Sequence, residues 1–201
     1  MTMMLDTRQA PVATAWRIDP ARSAVHFTTQ GRVAFVKRAT VGGTFGGVTG
    51  VVELDEAVPQ RSRVVLAVDA ASVDTSNARR DKHLRTADFF DVAGAPVIGF
   101  VSRTIVAVAP DSGRYRVVGD LTLRGVTLAV GFDVAYEPPP PFGTVRRARF
   151  VASGVLDRRH FGVNWDHPLA RIAPEVAVEV VLEAVAEEGG EAAWLLGGVR
   201  N

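Results

Sequence analysis

The chain has no cysteine, which excludes a disulfide framework, a thiolate nucleophile and any cysteine-ligated metal site. It has no apolar run approaching the roughly 18 residues of a membrane-crossing helix. It also lacks an excess of charge of either sign, with 23 Lys and Arg against 22 Asp and Glu for a net +1. Nucleic acid is therefore not an expected partner, because neutralising phosphates demands a strongly basic face. Met1 to Ala15 lacks the basic start and the apolar stretch of about 7–15 residues that mark a secretory leader, so a cytoplasmic location is expected.

Catalytic and cofactor motifs are equally scarce. The four histidines, His26, His83, His160 and His167, form neither HExxH nor the close His spacing of a zinc site, and no metal is expected. His26, between Val25 and Phe27 in an alternating run, reads as a hydrogen-bonded structural histidine. No G-x-S-x-G elbow is present, and Ser102 and Ser153 lie in strand patterns, where they satisfy local hydrogen bonds. The cluster Gly42-Gly43-Thr44-Phe45-Gly46-Gly47-Val48-Thr49-Gly50 matches neither phosphate-binding glycine motif and precedes no helix, so it reads as turns, bulges or sharp barrel bends. No cofactor is implied.

What is present is a globular composition, 47% hydrophobic and 22% charged over 201 residues, enough for one sizeable core. Most of the chain alternates with period two, which puts successive side chains on opposite faces of a strand. Strands are predicted over Ala24–Thr29, Thr49–Leu54, Arg63–Asp69, Val97–Val108, Arg114–Leu123, Val126–Tyr136, Arg149–Asp157 and Val176–Glu183. Turn chemistry falls at Pro110-Asp111-Ser112-Gly113 and at Arg124-Gly125, and crossover helices are mostly missing, so the sheet is antiparallel. Pro138–Pro141 cannot continue a ladder and marks a surface loop. Val33–Arg38 fits an irregular segment or a strand.

One segment breaks the alternation. Over Thr75–Val92, Ser76 or Asn77 can cap a short helix, Asp81 and Arg85 can pair at i,i+4, and Leu84 offers an inward anchor. In a barrel this excursion lies across an open end and delivers Phe89 and Phe90. Large rings are spread over nearly every element, and barrel strands would aim many at a common interior. A barrel of about eight strands either packs that interior solid or holds one ligand, and the pattern leaves both open.

Several stretches in order resemble the YceI-like family of polyisoprenoid-binding, lipocalin-like barrels: Trp16-Arg17-Ile18-Asp19-Pro20 with Ser23 and Phe27; Gly43-Thr44-Phe45 with Gly50; Asp74-Thr75 leading to Arg80-Asp81-Lys82-His83-Leu84; Asp88-Phe89-Phe90-Asp91-Val92 with Pro96 and Phe100; Gly119 through Thr127; and Arg159-His160-Phe161-Gly162. The resemblance spans residues 16–186, between a flexible segment 1–15 and a tail 187–201 carrying Trp194-Leu195-Leu196. It departs at Arg22 and Gln30, where the family often has histidine.

The resemblance implies an all-β, antiparallel lipocalin-like barrel with a short helix near its mouth, holding a polyisoprenoid, quinone or similar lipid without catalysis. Phe27, Phe45, Phe89, Phe90, Phe100, Phe132, Phe161 and Trp165 are then the candidate pocket residues. Arg79, Arg80, His83 and Arg85 are the candidates for meeting a polar or phosphorylated head group. A homodimer is expected on general grounds. Two other readings stand beside this one: an enzyme using His83 with Asp81 or Asp88 as acid–base groups, and a stress-linked interaction module whose barrel is filled.

Overall fold

A computed structural model describes residues 13–33, 37–142, 145–165 and 170–187. Most of the two terminal segments, Phe35 and His167 lie outside the described residues. So does the Trp194-Leu195-Leu196 stretch.

The strands are β1 (Thr14–Ile18), β2 (Ala24–Val33), β3 (Lys37–Phe45), β4 (Val48–Leu54), β5 (Arg63–Asp69), β6 (Val73–Asp74), β7 (Val97–Ala107), β8 (Arg114–Leu123), β9 (Val126–Glu137), β10 (Arg147–Asp157) and β11 (Ala170–Ala186), with one helix, α1 (Ala78–Leu84), between β6 and β7. All eight strands expected from alternation are present. β1, β3 and β6 are additions, β3 beginning in the Val33–Arg38 stretch that fits an irregular segment or a strand. Gly42 and Gly43, expected in a turn or bend, instead lie inside β3, while Gly46-Gly47 does form the break between β3 and β4.

From β7 to β11 each strand pairs antiparallel with the next, as a meander. Both predicted turns close their hairpins, and Arg124 and Gly125 both adopt positive φ, +54° and +74°, the backbone that matches the twist of a two-residue hairpin.

Closure depends on two interrupted strands. The long β11 pairs with β1 near its C-terminus, Ile18 opposite Ala184, and with β2 over its remaining length, Ala24 opposite Val181 and Val33 opposite Ala170. Thus β1 and β2 act as one stave broken at Asp19–Ser23. Ser23 bridges the break: its buried Oγ accepts from the Glu183 N–H and donates to the Glu183 carbonyl. β3 and β4 are likewise one stave broken at Gly46-Gly47, β3 pairing with β2 and β4 with β1 and β5. The ring closes with eight staves and a short annex, β6, on β3.

One end of the barrel is sealed. Trp16, 1% exposed, meets Tyr136 and Phe150 edge-on at 6.5 and 6.4 Å, and those two rings stack at 5.1 Å. Burial first, then the nearby Glu56 that accepts the Tyr136 hydroxyl at 3.2 Å, pushes that phenol well above its ordinary value. The Arg146 guanidinium lies 5.6 Å above the Trp16 ring. α1 and the turn Arg158–Phe161 sit at the opposite end, where β10 ends and β11 begins.

Candidate functional site

Inward-facing residues of the staves enclose an apolar cavity of about 760 Å³, within the range of about 300–1,000 Å³ typical of small-molecule sites. The barrel is therefore hollow, which overturns the filled-barrel reading. Its wall is aliphatic, including Val64, Leu66, Val117, Leu121, Val178 and Val180, with Phe150 and Leu182 toward the sealed end. All eight rings named from the sequence, Phe27, Phe45, Phe89, Phe90, Phe100, Phe132, Phe161 and Trp165, border this space.

The bore stays open because three of these rings lie against glycines. A β-carbon on Gly43, directly opposite Phe27, would fall 2.6 Å from the Phe27 ring. One on Gly119 would fall 2.6 Å from Phe100, and one on Gly154 would fall 2.8 Å from Phe132. All three distances are shorter than carbon atoms tolerate, so a missing side chain on one strand makes the space its neighbour's ring occupies. Each ring then covers wall instead of projecting across the bore.

The mouth is built by α1 and the residues after it. Asn77 caps the helix, its Oδ1 accepting from the Arg80 N–H at 3.0 Å, and Leu84 is buried against the cavity as expected. The expected Asp81–Arg85 ion pair is replaced by two longer-range attachments. Buried Asp81 accepts from both the N–H and the hydroxyl of Thr75. The Thr75 hydroxyl bond, followed by its N–H and the Arg85 and Arg80 charges, holds the Asp81 carboxyl below its ordinary value against the opposing effect of burial. Arg85 donates instead to the Ala71 and Val73 carbonyls, each at 2.8 Å. Among the head-group candidates it is the one that does not border the cavity.

The other three do border it. Arg80 donates its Nε and one Nη to the Thr75 hydroxyl and carbonyl, both at 2.7 Å. His83 places Nε2 2.9 Å from Asp88 Oδ2 and meets Phe89 and Trp165 edge-on at 5.0 and 5.3 Å. Phe89 and Trp165 face each other at 5.5 Å, joining the segment after α1 to the chain leading into β11. Phe90 packs on Phe45 and Phe27 at 5.0 and 6.3 Å, tying the same segment to the β2–β3 wall.

Arg158 was not singled out in the sequence, yet it borders the cavity and organises the far side of the mouth. Its guanidinium donates to the carbonyls of Val163, Ile172 and Ala173, holding β11 where its register shifts between Ile172 and Val176. Nothing in linear spacing marks a carbonyl clamp. Arg124, in the β8–β9 turn, ties the same corner through the Gly162 carbonyl at 2.9 Å. His26, expected as a hydrogen-bonded structural residue, is exposed on the outer face with no hydrogen bond to its ring among the described residues. Ser102 does have the local role expected, accepting from the Val64 N–H at 2.9 Å.

Residues 16–184 match the family model described as a YceI-like domain. The chain belongs to the YceI-like family. YceI-like relatives include Protein YceI of Salmonella newport (strain SL254), 30% identical over 190 residues covering 94% of this chain and 95% of that protein. Protein YceI of Escherichia coli O157:H7 is 32% identical over 179 residues, covering 88% and 90%. Among solved YceI-like folds, Burkholderia cenocepacia BcnA superposes with a TM-score of 0.69 at 23% identity, covering 83% of this chain and 99% of BcnA. A polyisoprenoid binding domain from Saccharophagus degradans, implicated in plant cell wall breakdown, superposes with a TM-score of 0.62 at 16% identity, covering 87% and 99%. At those identities the two structures establish the fold. Among the described residues of this YceI-like chain, no helix is long and apolar enough to cross a membrane.

Proposed function

We propose that the protein binds and carries, or sequesters, one long-chain apolar molecule such as a polyisoprenoid, a quinone or a similar lipid inside the barrel, without acting on it chemically. The carrying observation is the cavity of about 760 Å³ walled by aliphatic and aromatic side chains and sealed at one end. An apolar chain filling it gains about 25 cal/mol for each Å² of apolar surface removed from water, offset by the entropy of ordering the chain. The polyisoprenoid-binding neighbour from Saccharophagus degradans supports the same class of guest.

Native mass spectrometry of the purified protein, followed by lipid extraction, tests this reading. The expected result is a single adduct per barrel that extracts as a long-chain lipid of unchanged structure. An empty protein that also fails to take up added C20 prenyl alcohol overturns it. Conversion of the added alcohol would favour an enzyme, for which the His83–Asp88 pair at the mouth is the available acid–base couple.

A further inference from the structure

The polar side chains of the cavity differ from its apolar wall in one consistent respect. Apart from the Thr29 hydroxyl, which is occupied by the Ala173 and Glu175 carbonyls, and the Trp165 indole, those bordering the space are Asn77, Arg79, Arg80, His83 and Arg158. No aspartate or glutamate borders it among the described residues. A neutral guest needs no such bias, and a cationic one would be repelled. Three guanidiniums border the cavity itself, while the nearby carboxylates stand behind that lining, Asp81 held by Thr75 and Asp88 paired with His83, so the charge presented to a guest at the lining is positive.

The three arginines are not equivalent. Arg158 is committed to backbone carbonyls, and Arg80 has its Nε and one Nη held by Thr75. Arg79, on the exposed side of the first turn of α1, has no hydrogen-bond or ion-pair partner among the described residues. Its planar donor fork is therefore available for a bidentate oxyanion contact, the geometry that guanidinium makes with carboxylate and phosphate. The Thr75–Asp81 network fixes the neighbouring Arg80 beside it, so a second cation is already positioned before a guest arrives.

We infer that the guest carries an anionic head, a phosphate or carboxylate, held at the mouth by Arg79 with Arg80 as the positioned second cation, while its chain fills the barrel. This rests on the lipid-binding reading above and narrows it to single-headed anionic lipids, excluding neutral quinones, alcohols and amides as the preferred class.

The test compares chains of equal length that differ in the head alone: geranylgeranyl monophosphate against geranylgeraniol, and palmitate against hexadecanol. Binding is followed by native mass spectrometry and by displacement of a fluorescent fatty probe, on the wild-type protein, Arg79→Gln, Arg79→Lys and the surface control Lys82→Gln. The expected result is that at least one anionic member binds about tenfold more tightly than its alcohol, as a charge-assisted contact should provide. Arg79→Gln should abolish that preference without weakening alcohol binding, Arg79→Lys should restore part of it, and Lys82→Gln should retain it. The pair showing the preference identifies phosphate or carboxylate. Equal binding of alcohol and anion, or a preference untouched by Arg79→Gln, overturns the anionic-head inference and leaves the lipid pocket standing. Failure of all four molecules to bind overturns the pocket reading itself.

Discussion

Phe132 of β9 lies against Gly154 of β10 so closely that a β-carbon there would come within 2.8 Å of the ring. The pair couples the shape of the bore to a single missing side chain. Gly154→Val should force Phe132 off the wall and into the cavity, with an overpacking cost of about 1–3 kcal/mol. Thermal unfolding reads the first effect, as a fall in melting temperature of about 2–4 °C per kcal/mol for a chain of this size. The length of the longest chain retained in native mass spectrometry reads the second. A variant keeping full capacity would show that the ring has another place to lie.

Phe89 and Phe90 serve the mouth in different directions, Phe89 toward Trp165 and Phe90 toward Phe45 and Phe27. Replacing both by serine should speed release of a preloaded prenyl alcohol severalfold while the β-rich circular dichroism spectrum is retained, because both rings sit outside the ladder that closes the barrel. Unchanged release from a folded double variant would remove this segment from any gating role.

Arg158→Ala should destabilise the protein by about 2–4 kcal/mol, since carbonyls of β11 and of the preceding segment lose a charged donor. Amide hydrogen exchange should localise the loosening to residues 170–176, where the register shifts. Protection lost evenly along β11 would contradict a local clamp.

Acid should loosen the helix at the mouth. The Asp81 carboxyl is held below its ordinary value of 3.8, first by the Thr75 hydroxyl. A carboxyl depressed in the folded state stabilises the fold above its unfolded pKa, and that contribution is lost as pH falls through the folded value. The expected loss therefore begins below about pH 4 and not near neutrality. Thr75→Val should raise the Asp81 titration midpoint toward its unfolded value and shrink the acid-dependent part of the stability, the midpoint being followed by carbon-detected NMR of the carboxyl. A midpoint unmoved by the substitution would assign the depression to the Thr75 N–H and the arginines.

The barrel was readable because alternation is a local property. Val176, Val178, Val180 and Leu182 show their facing within one strand, and turns such as Arg124-Gly125 show where that strand's neighbour begins. β1 escaped because Thr14–Ile18 is too short to establish a period. β3 escaped because Gly42 and Gly43 read as a bend, although Gly43 is there to admit the Phe27 ring from the opposite strand. The mouth was legible in part for the same reason: Asn77 and Leu84 declare a capped helix with an inward side, but the direction of Arg85 is decided by carbonyls at Ala71 and Val73. Arg158 is the extreme case, its partners defined wholly by where β11 changes register.

The stack of Trp16, Tyr136 and Phe150 gives the barrel a floor. Under the proposed function, a vessel with a floor would load tail-first and empty head-first through the same doorway, so the last part of a passenger to leave the solvent would also be the first an acceptor could grasp. On the carrier reading proposed above, handover would require an acceptor to approach the helix end of the molecule, and the threshold there, not the depth of the well, would set the transfer rate.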